Sequence, residues 1–314
     1  MDKPVYQDTS LNILHNTTDE KIPKNIEEAK SLPTWQKWKE AIQSEYKSLK
    51  DRNVFSEIME LPKGRHMIGN RIILTIKQEP AKRYKARLVA QGFGQRYGID
   101  YQATYAPVLD CRTYRYLIGI STFMNWETHA MDIQTAYLYG ELSEEIFMKV
   151  PEGLKTPTQM ENPCIKLQKS IYGLKQSGRQ WFAKYSEVLK GNGFTNTQEC
   201  PSVFFKLTEN GPVITPIYVD DTNVMGPAQA VANVKKGLAS HFQMKDFGKV
   251  SQCVGIEVDH LPNGTFIHQS RLISKILRTM NLMNTKTRQS PLQVRSTSID
   301  TDLYAPIRDG EAWV

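Results

Sequence analysis

The run ITPIYVDDTNVMG occupies Ile214 to Gly226. Ile217, Tyr218 and Val219 favour extended backbone, as do Val224 and Met225, while the polar residues between them mark a turn. The pattern predicts two short strands joined at a bend that carries two adjacent carboxylates, Asp220 and Asp221. Neighbouring carboxylates repel. Such a pair is tolerated on a solvated turn, the commoner setting of an isolated match. It becomes useful where a divalent cation sits, because Mg²⁺ takes oxygen ligands and keeps phosphates as further ligands.

Working outward, Trp126 to Asp132 (WETHAMD) reads as another short strand ending in an acid. Two-metal phosphoryl transfer needs carboxylates from separate strands, since two cations roughly 4 Å apart must be bridged. Asp132 with Asp220 fits that need. Further upstream, Arg83, Lys85 and Arg87 alternate with Tyr84, Ala86 and Leu88. Period-two alternation puts the three cations on one strand face. Such a face grips a triphosphate or a nucleic-acid backbone, or simply guards a solvated edge strand.

Several ordered motifs resemble the reverse transcriptase of copia-type LTR retrotransposons. They are YKARLVAQGF at 84–93, GIDY with TYAPV between 98 and 108, DIQTAYLYGEL at 132–142 and SIYGLKQSGRQW at 170–181. YVDD at 218–221, MKDFG at 244–248 and VGIEV at 254–258 complete the series, which covers about residues 27 to 292. YVDD alone is weak; the ordered set is specific. The resemblance implies an α+β palm-and-fingers polymerase fold with an antiparallel palm sheet and a truncated thumb. It implies an RNA-directed DNA polymerase with two Mg²⁺ ions, Mn²⁺ being the alternative, held by Asp132, Asp220 and Asp221. The implied partners are an RNA template, a DNA primer or product, and dNTPs. Lys245 matches a lysine proposed to protonate the leaving pyrophosphate. Tyr137 matches an aromatic that excludes a ribose 2′-OH. Lys85 or Arg87 faces the nucleotide, with Arg83 beside them, and Tyr172, Gly173, Lys175 and Tyr218 belong to the substrate-binding surface. An intracellular place is implied, cytoplasmic (in a virus-like particle) or nuclear.

The expected organisation is a flexible lead-in over 1–26, an N-terminal helix and fingers over 27–125, and a palm over 126–260 with a fingers insertion near 150–178. A partial thumb over 261–292 and a divergent tail over 293–314 follow. Helices are expected after Pro33, over 110–125 with a core stripe of Tyr116, Leu117, Ile120 and Phe123, from near Ser177, over 231–242 and over 271–283. Gly173 permits close backbone approach to a ligand. Two residues depart from the family. Pro216 predicts that its strand lies at an edge or bulges. Gly178 stands where the family usually has proline and weakens a helix start. The family's ribonuclease H segment is not visible, which reads as a fragment or as a decayed, basic nucleic-acid-binding remnant.

Composition is compatible with these readings. The 314 residues are 40% hydrophobic and 23% charged, as in a globular chain. A net charge of +7 suits a polyanionic partner, although it also serves solubility. No apolar run of about 18 residues indicates a membrane span. Cys111, Cys164, Cys200 and Cys253 form no CxxC pair and are expected to be reduced and buried.

Overall fold

The computed structural model describes residues 20–77, 81–157 and 159–285. The expected lead-in before residue 20, the Glu79-Pro80 turn, the end of the expected thumb and the tail lie outside them. A short helix, α1 (Ile26–Lys30), is capped by Asn25, whose side chain accepts the Glu28 N–H at 2.8 Å. It precedes the predicted helix, α2 (Trp35–Asp51), which buries Trp38, Ile42 and Leu49.

The strands β1 (Met59–Glu60), β2 (Met67–Ile68), β3 (Asn70–Lys77) and β4 (Arg83–Ala90) come next. β3 and β4 form a two-stranded antiparallel hairpin, in register from Asn70↔Ala90 to Lys77↔Arg83. Alternation works as expected: Ala86 and Leu88 bury with Ile72, Leu74 and the α2 residues, leaving Arg83, Lys85 and Arg87 on the other face. A lone hairpin exposes backbone donors at its edge. Here Glu45 of α2 accepts the Leu88 N–H at 3.0 Å, and the Tyr172 carbonyl accepts the Ala90 N–H at 2.8 Å.

Helix α3 (Cys111–Phe123) starts where Asp110 accepts the N–H groups of Arg112 and Thr113 at 2.8 and 3.1 Å. Its buried face is Tyr114, Leu117, Ile118 and Ser121, whereas Tyr116 and Phe123 are 71% and 89% exposed. The expected stripe is therefore rotated. The helix offers two apolar stripes at i, i+3, i+4 spacing. The one chosen lets Tyr114 donate its hydroxyl to Asn223 Oδ1 at 3.1 Å. Cys111 is exposed, against expectation, because it opens the helix on the solvent side.

The remaining strands are β5 (Glu127–Ile133), β6 (Glu141–Lys149), β7 (Pro163–Lys169), β8 (Thr195–Asn196), β9 (Val203–Thr208), β10 (Gly211–Tyr218), β11 (Asp221–Gly226) and β12 (Met244–Lys249). Helices α4 (Ser177–Gly191) and α5 (Ala228–Ala239) lie between them. Six strands make one antiparallel sheet in the order β12-β5-β11-β10-β9-β8. One face carries Met131, Ile133 and Ile217 under Trp181 and Tyr185 of α4 and Leu238 of α5. The opposite face meets Tyr114 and Leu117 of α3. A second sheet, β1-β7-β6-β2, contains one parallel pair, β2 with β6. β13 (Gln252–Cys253), β14 (Ile256–Leu261) and β15 (Gly264–His268) form a third, with Asn263-Gly264 at its hairpin as expected. The chain divides at Ile267 and His268 into two compact units; the second holds α6 (Ser270–Thr279), which is shorter than expected and buries no residue.

Pro216 does not mark an edge. Its strand, β10, is interior, between β11 and β9. The missing N–H is absorbed as a gap in the ladder: β10 pairs with β11 at Ile214, Ile217 and Tyr218 in one unchanged register. Gly178 sits in the first turn of α4, and a Cβ there would meet Ala106 Cβ at an ordinary 3.5 Å. Gly178→Ala is therefore expected to stabilise the fold by about 0.5 kcal/mol through reduced unfolded-state entropy. A denaturation midpoint that falls would show that the Ala106 contact cannot give.

Candidate active site

Sheet register brings the acids together. Asp132 on β5 stands directly opposite Asp221 on β11, and the Ile133 N–H donates to the Asp220 carbonyl at 3.1 Å. Tyr218 pairs with Asp221, so Val219 and Asp220 form a two-residue hairpin turn. Val219 adopts φ +58°, the left-handed backbone that such a turn requires. Trp181 Nε1 donates to the Val219 carbonyl at 2.6 Å and holds the turn from the α4 side.

Asp132 and Asp220 line a cleft of about 610 Å³ with Lys77, Lys82, Arg83, Lys85, Arg87, Ile133, Gln134, Thr135, Tyr172 and Lys245. The two acids and the three predicted cations of β4 thus share one concavity. Burial pushes the Asp220 carboxyl above its ordinary range, and the Asp132 carboxylate pushes the same way against Arg87 and Lys77. Asp221 keeps an exposed rim, yet burial, then Asp220 and Asp132, raise it to about 6. On β4, burial is the main reason that Lys85 falls to about 8; Arg87, Lys77 and Arg83 add to it and Glu45 opposes. Glu45 itself is raised by burial. Close like charges in a half-dry cleft are what a bound counter-ion relieves.

An all-oxygen set of Asp132, Asp220 and Asp221 suits a hard cation in donor chemistry. Among the described residues, no group of three or more His, Cys, Asp or Glu side chains is already gathered at metal-binding spacing. The carboxylates therefore fit a cation by chemistry and mutual repulsion, with substrate oxygens needed to complete a coordination shell.

The other predicted residues divide. Lys245 on β12 pairs with Asp132 across the ladder, lines the cleft and lies 4.6 Å over the Phe247 ring. Tyr172 forms a cleft wall, with Arg87 5.0 Å over its ring, and burial raises its hydroxyl to about 12. Tyr137 is half-buried directly beside that wall, edge-on to Tyr172 at 4.9 Å. Tyr218 is 38% exposed beside the turn. Lys175 turns away from the cleft: its ammonium lies 4.8 Å over Tyr101 and 3.3 Å from that hydroxyl. Gly173 does allow a close approach, but to the chain itself. With φ +90°, a Cβ there would stand 2.1 Å from the Ala90 carbonyl oxygen.

Lys77, Lys82, Gln134 and Thr135 were not anticipated. Lys77 was legible in principle, because hairpin pairing sets it opposite Arg83. Lys82 also pairs with Glu20. Thr135 adopts φ +55°, which nothing in its local sequence announces.

The chain matches the family model described as reverse transcriptase (RNA-dependent DNA polymerase) over residues 52–294. It is 33% identical over 282 residues to the retrovirus-related Pol polyprotein from transposon TNT 1-94 of Nicotiana tabacum, covering 88% of this chain and 21% of that protein. It is 30% identical to the corresponding polyprotein from transposon RE1 of Arabidopsis thaliana, covering 82% of this chain and 18% of the relative. A Ty1-ER2 Gag-Pol polyprotein of Saccharomyces cerevisiae is 33% identical over 44% of this chain and 8% of its own length. The chain spans about a fifth of the length of the two plant relatives, at 21% and 18%. The resemblance to copia-type retrotransposon sequences is therefore met at the level of the family: the chain belongs to the reverse transcriptase (RNA-dependent DNA polymerase) family.

Proposed function

We propose that the chain carries out template-directed phosphodiester synthesis from dNTPs on an RNA or DNA template. The observation that carries this reading is the shared cleft, where Asp132 and Asp220 face Arg83, Lys85 and Arg87. In this reading the six-stranded sheet is the palm, the β3–β4 hairpin belongs to the fingers and α6 opens a thumb. Asp132 and Asp220, supported by Asp221, would hold two Mg²⁺ ions, which supply charge neutralisation on the triphosphate and a lowered pKa at the primer 3′-OH. The chain's own groups do the rest. Arg83, Lys85 and Arg87 bind the phosphates and orient them along the cleft. Lys245, beside Asp132, can hand a proton to the departing pyrophosphate. Tyr172 forms the wall against which the sugar would rest, with Tyr137 packed edge-on beside it. The half-dry setting strengthens each of these charge contacts.

Primer extension on poly(rA)/oligo(dT) with Mg²⁺ tests this reading, with Asp220→Asn as the inactive control. The rival is a nucleic-acid-binding remnant, favoured by the ladder gap that Pro216 leaves beside the Asp220-Asp221 turn. Retained RNA or DNA binding with no extension selects the rival.

The phosphate role of β4 has a pH signature. Lys85 loses its charge as pH rises through about 8, so the KM for dNTP is expected to climb above that pH. Lys85→Arg, which stays charged, should flatten the basic limb. Lys85→Ala with Arg87→Ala should raise KM for dNTP more than it weakens primer-template binding. Equal weakening of both, with a reduced salt slope, would show backbone contacts instead.

A further inference from the structure

Gln95 and Gln176 are only 6% and 1% exposed, and neither lines the cleft. Their amides satisfy one another in a chain. Gln95 Nε2 donates to Gln176 Oε1 at 2.9 Å, and Gln176 Nε2 donates to the Asp100 carbonyl at 2.7 Å. Gln95 Oε1 accepts the Lys175 N–H at 2.8 Å. That last bond fixes which way the Gln95 amide faces, and hence which end it offers Gln176. Buried Asp100 accepts the Arg96 N–H at 2.7 Å and closes the loop on itself.

Two segments are joined this way without a strand ladder: the loop from Gly92 to Tyr101 and the turn from Ile171 to Ser177. The turn's own backbone bonds are long, 3.4 Å from Leu174 N–H to Ile171 and 3.4 Å from Ser177 N–H to Leu174. It is pinned further by Ala90 N–H on the Tyr172 carbonyl, by the Ser177 hydroxyl, which donates to the Ile171 carbonyl, and by the Gln95 and Gln176 amides, Gln95 accepting the Lys175 N–H. Tyr172 lies at the first of these, with its ring on the cleft wall. A fully satisfied buried amide network specifies one register, because any slip leaves polar groups unpaired.

We propose that Gln95 and Gln176 are positioning residues for nucleotide binding: their amide pair fixes the turn that places Tyr172 on the cleft wall. The nucleotide part rests on the polymerase reading above.

The test uses the whole chain with 3-fluorotyrosine at Tyr172, comparing Gln95→Met, Gln176→Met and Gln95→Glu. The methionine variants keep length and lose the hydrogen bonds. They are expected to raise KM for dNTP about fivefold with kcat within twofold, the usual scale of one lost hydrogen bond, and to shift the Tyr172 fluorine signal. Gln95→Glu adds a pH readout. A protonated carboxyl can donate to Gln176 and accept from Lys175; an ionised one has no proton to give. The charged or titratable groups around it are Asp100, with Arg96 and His66 beside that carboxylate, Lys175 stacked on Tyr101, and Glu144, 3.4 Å from the Gln176 amide. These titrate in the parent chain as well, so the ratio of variant to parent is read. That KM ratio should be high at pH 8 and fall towards one near pH 6, with the fluorine signal returning. A purely structural role lowers the melting temperature without this recovery. KM within twofold and an unmoved fluorine signal in the methionine variants overturn the proposal, whatever the melting temperature. If those variants fail to fold, the Gln95→Glu series decides, and a pH-independent ratio overturns it. If the parent chain extends no primer, the polymerase reading fails separately; the fluorine signal alone then decides the positioning, and an unmoved signal overturns it.

Discussion

Asp220→Asn should abolish primer extension and, in metal-free buffer at neutral pH, raise the melting temperature. The activity loss should be on the order of a thousandfold or more, because several kcal/mol of charge stabilisation are at stake at this position. The gain in stability follows from the raised carboxyls. Asp220 and Asp221 both lie above the ordinary 3.8 in the folded chain, Asp221 at about 6. A carboxyl whose folded pKa is raised favours folding fully below its unfolded pKa. That favour is lost as pH climbs through the folded value. At pH 7 Asp221 is therefore ionised at a cost to which the neighbouring Asp220 carboxylate contributes, and removing that neighbour's charge relieves it. With part of Asp221 exposed, the relief is discounted to roughly 1 kcal/mol, or about 2 °C in a chain of this size. At pH 4, where Asp221 is largely protonated, parent and variant should melt closer together. Mg²⁺ should raise the parent's melting temperature more than the variant's. Melting curves at both pH values, with and without Mg²⁺, check this. A variant that melts lower at pH 7 would mean that Asp220 holds the turn together rather than straining it.

What was legible depended on how local the determining physics is. The alternation in Arg83–Leu88 reported a strand face directly, because side chains in a strand must alternate. The hairpin at Asp220 was legible from β-formers flanking a polar run, but its turn falls earlier than that run implies: Val219 and Asp220 make it, while Asp221, Thr222 and Asn223 already belong to β11. The α3 stripe was not: both candidate faces have helical spacing, and a partner on β11, Asn223, makes the choice. Pro216 followed a local rule that tertiary structure overrode, since its neighbours in the sheet keep their register across the gap. Gly173 needed its freedom, but the partner that approaches is Ala90, some eighty residues away in sequence. Gln95, Gln176 and Lys77 carry no local signature; only the meeting of separate segments gives them work. Partner identity, in short, is the non-local part, and it was the part the motifs could not supply on their own.

Tyr137→Val or Tyr137→Ala should let the chain accept ribonucleotides. The ring stands edge-on to Tyr172 at 4.9 Å, and Tyr172 forms the cleft wall beside Asp220. If the two tyrosines together bound the space for the sugar, shrinking one opens room for a hydroxyl without touching the acids. Steric exclusion of one small group is worth a few kcal/mol, so discrimination against rNTPs should fall by on the order of tens- to a thousandfold. The competing account is that Tyr137 only packs. It is half-buried and belongs to the edge of the core under α4 and α5. Truncation would then cost roughly 3 kcal/mol of stability from lost burial, including about 1 kcal/mol for the aromatic pair. Sugar selectivity would stay where it was. Tyr137→Phe separates ring from hydroxyl: it keeps the bulk and should keep dNTP preference. Incorporation of rNTP and dNTP, measured beside the melting temperature for all three variants, decides the matter. Lower stability with unchanged selectivity in the small variants would defeat the steric assignment, whereas relaxed selectivity in the small variants and not in Tyr137→Phe would place the gate in the ring itself.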